Sequence, residues 1–394
     1  MNKREVVVVS GVRTAIGSYG GSLKEHSPST LAGIVVAEAV RCSGIAVDHI
    51  GQCVFGNVIH SEASDMYMAR VAGIKGGLPE SIPGLTINRL CGSGLQAVLT
   101  AAQQVELGIC KAVVAGGAES MTRVPYHIPS ARFGLRLGDG ELIDPMLAAL
   151  HCPFNHIHMG ITAENVAEKY GITRAQQDEL AVLSHNRAQS AIEKGYFKDQ
   201  IVPIENTSRK GVTLFETDEH VRFDCSPSDM ATLKPVFKKE GTVTAGNASG
   251  LNDAASALVM MDRELAEQEG VKYLARLVDY SVVGVDPKIM GIGPVPAIQE
   301  ILERNSLSVN DIDVYEVNEA FAAQALAVVQ QLDLPSDRVN PNGSGISLGH
   351  PIGATGAVIT VKALHELNRI DGQYALVSLC VGGGQGIAAL FERI

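Results

Sequence analysis

Short apolar runs alternate with amphipathic stretches near both ends of the chain. "EVVVVS" (5–10), "QCVFGNVI" (52–59), "LTIN" (85–88) and "KAVVAGG" (111–117) read as strands. Between them, apolar positions recur at helical spacing near Leu31–Arg41, Met66–Ala72 and Gly94–Leu107. That order predicts an α/β sheet layered with helices. The pattern also repeats. "AVRCSGIAVDHIGQCVFGNV" (39–58) lies without gaps over "ILERNSLSVNDIDVYEVNEA" (301–320), each reading helix, short corner, strand. Later in each half a strand leads to a cysteine before a glycine turn, "TINRLCGSG" and "ALVSLCVGGGQG". A duplication would set Cys91 and Cys380 face to face near a pseudo-twofold axis; a chance match of short segments is the competing reading.

Ser120 to Gly246 has a different character, with many of the prolines and charges and one clear helix pair, "GITAENVAEKYG" and "TRAQQDELAVLSHNRAQSAIEKG". Thr173 and Gln176 form a capping-box signature at the start of the second helix. The pattern therefore predicts an N-terminal half over 1–119 completed by about 247–271, an inserted loop domain over 120–246, and a C-terminal half over 272–394.

With 394 residues, 46% of them hydrophobic, the chain exceeds one ordinary core and suits two or three packed units. The apolar run from Ala255 to Met261 is far shorter than a membrane span, and the opening "MNKREVVVVSG" lacks the long apolar stretch of a signal peptide. A cytoplasmic protein with no membrane partner is expected. A net charge of −11 argues against a nucleic-acid surface, so any anionic ligand needs a local basic patch. The seven cysteines are scattered without a CxxC pair, which argues for reduced thiols and against a zinc site.

One of those thiols, Cys91, precedes a glycine-rich turn that opens a helix. The helix dipole and free N–H groups there favour thiolate, although a buried space-filling cysteine is the ordinary alternative. In "NPNGSGISLGHPIGATGA" (340–357), His350 sits among small turn-forming residues where no amphipathic face requires it. A rigid loop of that kind presents either a base for a thiol or a structural imidazole. Asn318 in "EVNEAFAAQA" reads as a helix N-cap or as a holder of a water or oxyanion. Cys380 precedes three glycines whose N–H groups suit an oxyanion or a tight hairpin. Neither GxGxxG nor GxxxxGK[ST] occurs in these glycine runs, which weakens the dinucleotide and nucleotide-hydrolase readings.

"NRLCGSGLQA", "AGGAESMTRVP", "HMGITAENVA", "GTVTAGNASGLNDAA", "NEAFA", "GHPIGATGA" and "CVGGGQG" follow one another in this order. Together they resemble the thiolases, the acetyl-CoA acyltransferases, over nearly the whole chain. The resemblance implies a duplicated five-layer αβαβα architecture with an inserted loop domain. It implies an acyl-CoA:acetyl-CoA C-acyltransferase running a reversible ping-pong Claisen condensation or CoA-dependent thiolysis. By similarity, Cys91 is the nucleophile, His350 takes its proton, and Cys380 moves the proton on the α-carbon of acetyl-CoA. Asn318 holds a water that, with His350, meets the enolate oxygen, and the N–H groups of Cys91 and Gly382 meet the tetrahedral oxyanion.

The same resemblance assigns CoA and acyl-chain contacts to His158, Met159, Arg222, Phe237, Ala245, Ser249, Ala320 and Phe321, with coenzyme A and acyl-CoA as substrates and no permanent cofactor or metal. Arg222, Lys234 and Lys238 are the candidate basic patch. Asp229 departs from relatives that carry serine near the nucleotide and puts that contact in doubt. "GSGISLGHP" resembles members that accept chains longer than acetoacetyl, so short- to medium-chain 3-ketoacyl-CoA is expected. "SMTRVPYHIPSARFGLRLGDGELIDPML" (120–147) resembles the family's oligomerisation loop and implies a homotetramer, a dimer of dimers. A decarboxylating condensing enzyme of the same fold and a Cys–His hydrolase are the alternatives, and neither requires a second cysteine.

Overall fold

Every residue of Val6–Thr14 is buried, which requires cover on both faces of that strand. The computed structural model, which describes residues 3–209 and 211–394, shows what provides it. The main strands in chain order are β1 (Val6–Thr14), β2 (Ile50–Gly56), β3 (Gly84–Ile87), β4 (Ala112–Ser120), β5 (Asn252–Asp262), β6 (Ala275–Gly284), β7 (Val314–Val317), β8 (Tyr374–Val381) and β9 (Gln385–Glu392). Among the described residues they lie in one mixed sheet in the order β7-β8-β9-β6-β1-β5-β4-β2-β3. The helices that matter here are α1 (Pro28–Ser43), α2 (Met68–Lys75), α3 (Ser93–Glu106), α4 (Met159–Tyr170), α5 (Arg174–Glu193), α6 (Pro294–Arg304), α7 (Ala322–Leu332) and α8 (Thr355–Arg369).

Alternation along each strand sorts side chains between layers. Val6 and Val8 join Val113 and Ala115 of β4, Val377 and Leu379 of β8, and the apolar faces of α3 and α8 in one central core. Val7 and Val9 face the opposite way, onto α1 and α2. Tyr315, Val317 and Leu376 pack against α6 and α7. The two wings of the sheet thus enclose α3 and α8, with α1/α2 and α6/α7 outside, giving αβαβα layering. The wings are continuous, because β1 pairs antiparallel with β6 (Val6 opposite Leu277).

The repeated pattern has a structural counterpart on each wing. α1 leads through a 3-10 turn at Val47–His49 into β2, and α6 leads through one at Val309–Asp311 into β7. The two cysteines are not counterparts, however, and here the sequence expectation is corrected. Overlaying 39–58 on 301–320 puts Gln52 on Val314; these pair with Val113 and Ala375, so Cys380 corresponds to Ala118 of β4. Cys91 instead heads α3, whose partner α8 is headed by the loop bearing His350. Nor does a strand run up to Cys91. β3 stops at Ile87 because Leu90 takes left-handed backbone (φ 46°) and the Asn88 side chain receives its N–H at 2.9 Å.

The segment between β4 and β5 packs its two long helices, α4 and α5, against α7. Thr173 and Gln176 cap α5 reciprocally, as the spacing predicts. Arg13, whose side chain is wholly buried, ties this segment to β1 through a fork to Asp218 (2.7 and 2.9 Å) and a third bond to Gln200 (2.8 Å). Replacing Asp218 by alanine strands that buried guanidinium, and a loss of about 3–5 kcal/mol in unfolding free energy is expected. Urea unfolding checks it; a loss below about 1 kcal/mol, the range of exposed pairs, would show that the fork contributes little.

Candidate active site

Cys91 sits two residues before the first turn of α3, half-buried, where the backbone N–H groups of Gly382 and of Cys91 itself favour its thiolate. Burial pushes the thiol up to about 11, those two donors pull it down, and the Glu119 carboxylate adds to the rise. At neutral pH the resting group is a thiol.

His350 follows Gly349, which adopts φ 112°; a Cβ there would come 2.5 Å from the Asn252 side chain. Asn252 Oδ1 in turn accepts the His350 N–H at 2.9 Å. The Thr355 hydroxyl donates to the Pro351 carbonyl (2.8 Å), so at 2.7 Å it accepts from His350 Nδ1. That fixes the proton on Nδ1 and leaves Nε2 as the basic nitrogen. Burial pushes the imidazole down to about 4, so it is neutral and able to accept.

Asn318 follows β7 and is fully buried, its Nδ2 3.4 Å from both His350 ring nitrogens and its Oδ1 without a protein partner. It is not a helix cap: the residue preceding α7 is Phe321. Glu319 beside it accepts from Ser184 (2.6 Å) and Asn340 (3.0 Å), which locks this turn to α5. Cys380 is buried near the end of β8, opposite Gly386, and the glycines after it do form a hairpin, Gly383 and Gly384 having φ of 80° and 83°. Burial, then the neighbouring Cys91, push its thiol well above the ordinary range.

Cys91, His350 and Gly382 line one cavity of about 250 Å³, and the same wall includes His158, Met159, Phe237, Ser249, Ala320 and Phe321. Cys380 lies behind it, packed with Met159, Ala320 and Phe321. His158 caps α4, its Nδ1 accepting from Gly160 at 3.0 Å, and its ring stacks on Phe237 with centroids 4.6 Å apart. Phe237 can lie there because residue 160 is glycine; a Cβ would come 2.3 Å from its ring. Arg222 and Ala245 are exposed and outside the cavity wall. Asp229 has local work, accepting from the Ser226 N–H (2.9 Å) and hydroxyl (2.6 Å) in a capping box. Lys238 is paired with Glu168 at 3.3 Å.

Three supporting residues escaped the sequence reading: Asn252, Thr355 and Glu119. Each lies inside a recognised motif, yet its partners are backbone atoms remote in sequence or a ring whose orientation no spacing reveals.

Two family models match the chain, thiolase N-terminal domain over residues 6–264 and thiolase C-terminal domain over 271–393. The chain is 64% identical to beta-ketothiolase BktB of Cupriavidus necator over 392 residues, covering 99% of this chain and 100% of that protein. It is 47% identical to an acetyl-CoA acetyltransferase of the same organism, covering 99% of each. Among solved structures, the Bacillus anthracis acetyl-CoA acetyltransferase superposes with TM-score 0.97 at 49% identity over 100% of both chains. Human mitochondrial 3-ketoacyl-CoA thiolase in complex with CoA gives 0.96 at 42% identity, covering 99% of this chain and 98% of that one.

Proposed function

We propose, because the chain belongs to the thiolase family and is an acetyl-CoA C-acyltransferase, that Cys91 carries the acyl group between its two substrates. In thiolysis the Cys91 proton passes to His350 Nε2 and the sulfur attacks the 3-keto carbon. The resulting oxyanion is met by the N–H groups of Cys91 and Gly382. Cleavage of the bond between the α-carbon and that carbon releases the enolate of acetyl-CoA, held by His350 and a water on Asn318, and the Cys380 thiol protonates it. The CoA thiol then gives its proton to the Cys380 thiolate and attacks the acyl carbon, and Cys91 leaves as it takes back the proton held by His350, which makes the cycle ping-pong.

The observation that carries this reading is the meeting of Cys91, His350 and Gly382 in one cavity, with Cys380 packed behind its wall. A hydrolase or a decarboxylating condensing enzyme has no use for that second, water-shielded thiol. Coenzyme A and acyl-CoA are the substrates we assign, with no permanent cofactor; His158, Met159, Phe237, Ser249, Ala320 and Phe321 hold the pantetheine and acyl parts. Arg222 and Ala245 meet the outer, nucleotide end. Met121, Leu147 and Leu150 give the cavity an apolar wall, which supports short- to medium-chain 3-ketoacyl substrates.

We retain the division into halves over 1–119 with 247–271 and over 272–394, with 120–246 as the inserted domain. In that insert Phe133 and Leu137 are 87% and 100% exposed, which supports burial against other subunits in a homotetramer. Among the described residues no helix is long and apolar enough to cross a membrane; the cytoplasm is the compartment we assign.

Incubation with acetyl-CoA alone is expected to release one CoA per chain and leave an acetyl group on the peptide containing Cys91, read by mass spectrometry. Acetyl on another residue, or no CoA release from folded protein, would remove Cys91 from the nucleophile's role.

A further inference from the structure

Glu119, near the end of β4, is fully buried with four N–H donors around it. Its Oε2 accepts from the Val58 N–H (3.0 Å) and the Gly353 N–H (2.9 Å). Oε1 accepts from the Ile59 N–H (3.2 Å) and Asn57 Nδ2 (3.3 Å). One carboxylate therefore ties together the end of β4, the segment after β2, and the turn that follows His350. That turn is tight, with the N–H groups of Ala354 and Thr355 both returning to the Pro351 carbonyl at 2.8 and 2.9 Å. A displacement at Gly353 is thus passed directly to His350. Close approach needs glycine at 353, since a Cβ would come 2.4 Å from Glu119 Oε2.

We propose that Glu119 is a positioning residue for acyl transfer: its side chain clamps the His350 loop against the Cys91 cavity. The inference rests on the roles given above to Cys91 and His350. Four neutral donors fit the ionised carboxylate, since a protonated one would need an acceptor in place of a donor. Burial acts against that and pushes the carboxyl up to about 8, with the backbone donors pulling it back and Asp65 adding to the rise. When ionised, Glu119 also opposes thiolate at Cys91, a smaller influence on that thiol than burial. The other titratable groups sharing that surrounding are Cys380 behind the cavity and His350 and His158 in its wall.

Glu119→Gln keeps the shape, removes the charge and turns a donor toward donors. Thiolysis kcat is expected to fall about 100-fold, with KM for CoA within about twofold. At the same time the pH profile of Cys91 alkylation by iodoacetamide is expected to move to lower pH: a thiol that reacts more readily in an enzyme that turns over more slowly. Loss of structure alone would not produce that combination. Gly353→Ala wedges the clamp without touching the charge, so it should lower kcat and leave the alkylation profile in place. The proposal is overturned if Glu119→Gln keeps kcat within about threefold, or if kcat falls only together with a comparable rise in KM for CoA. A Cys91→Ala enzyme that still turns over would instead sink the reading beneath it, whereas acetylation of Cys91 with an indifferent Glu119→Gln sinks this inference alone.

Discussion

Cys380→Ser is expected to lower thiolysis of acetoacetyl-CoA by about 10³-fold or more, while Cys91 is still acetylated by acetyl-CoA. The two halves of the cycle place different demands on the site. Acylation needs only Cys91, a base and two N–H donors, all of which remain in the variant. Carbon–carbon cleavage also needs an acid at the α-carbon, and a serine hydroxyl in the same dry position is too weak an acid to serve. Cys380 is wholly buried, so water cannot replace it. Rapid-quench measurement of Cys91 acetylation beside steady-state thiolysis separates the steps. Retained thiolysis, or equal loss of both steps, would show that Cys380 has no distinct proton to move.

The second large effect lies in pH. With Cys91 pushed up to about 11, its thiolate is scarce at pH 7 and increases tenfold per pH unit. Alkylation by iodoacetamide is therefore expected to rise about 10³-fold between pH 7 and pH 10. Catalysis should not follow that curve, because His350 takes the proton as the bond forms. Its imidazole, pushed down to about 4, binds a proton only below that pH, so kcat/KM should show no acid limb from this group above about pH 5. An alkylation plateau near pH 8 would mean a preformed thiolate; an acid limb at the ordinary histidine value, absent from a His350 variant, would mean a more exposed ring.

What could be read from the sequence follows from the range of the forces involved. Cys91, His350 and Cys380 stood out because each reactive side chain interrupts a run of glycines and other small residues, a local signal. Glu119 did not, since its partners are the N–H groups of residues 58, 59 and 353, which say nothing in sequence. The helix, turn and strand repeat was legible from hydrophobic spacing alone. Pairing Cys91 with Cys380 within it was not, because similar letters around a cysteine say nothing about strand register. "EVVVVS" likewise marked only the start of β1. The strand continues to Thr14 through Arg13, a charge that becomes buried only because Asp218 lies over two hundred positions away.

β1 lies between β5 and β6, its N-terminal part paired to Ala275–Leu277 and most of its length to Ser256–Asp262. A ribosome therefore completes β1 long before either neighbour emerges. Until residue 262 has left the exit tunnel, β1 and β4 both present unpaired apolar edges, and the N-terminal wing has no centre around which to close. Fragments ending before β5 are bound to be chaperone clients or aggregates. The cell must finish roughly two thirds of the polypeptide before the first wing of the sheet can fold.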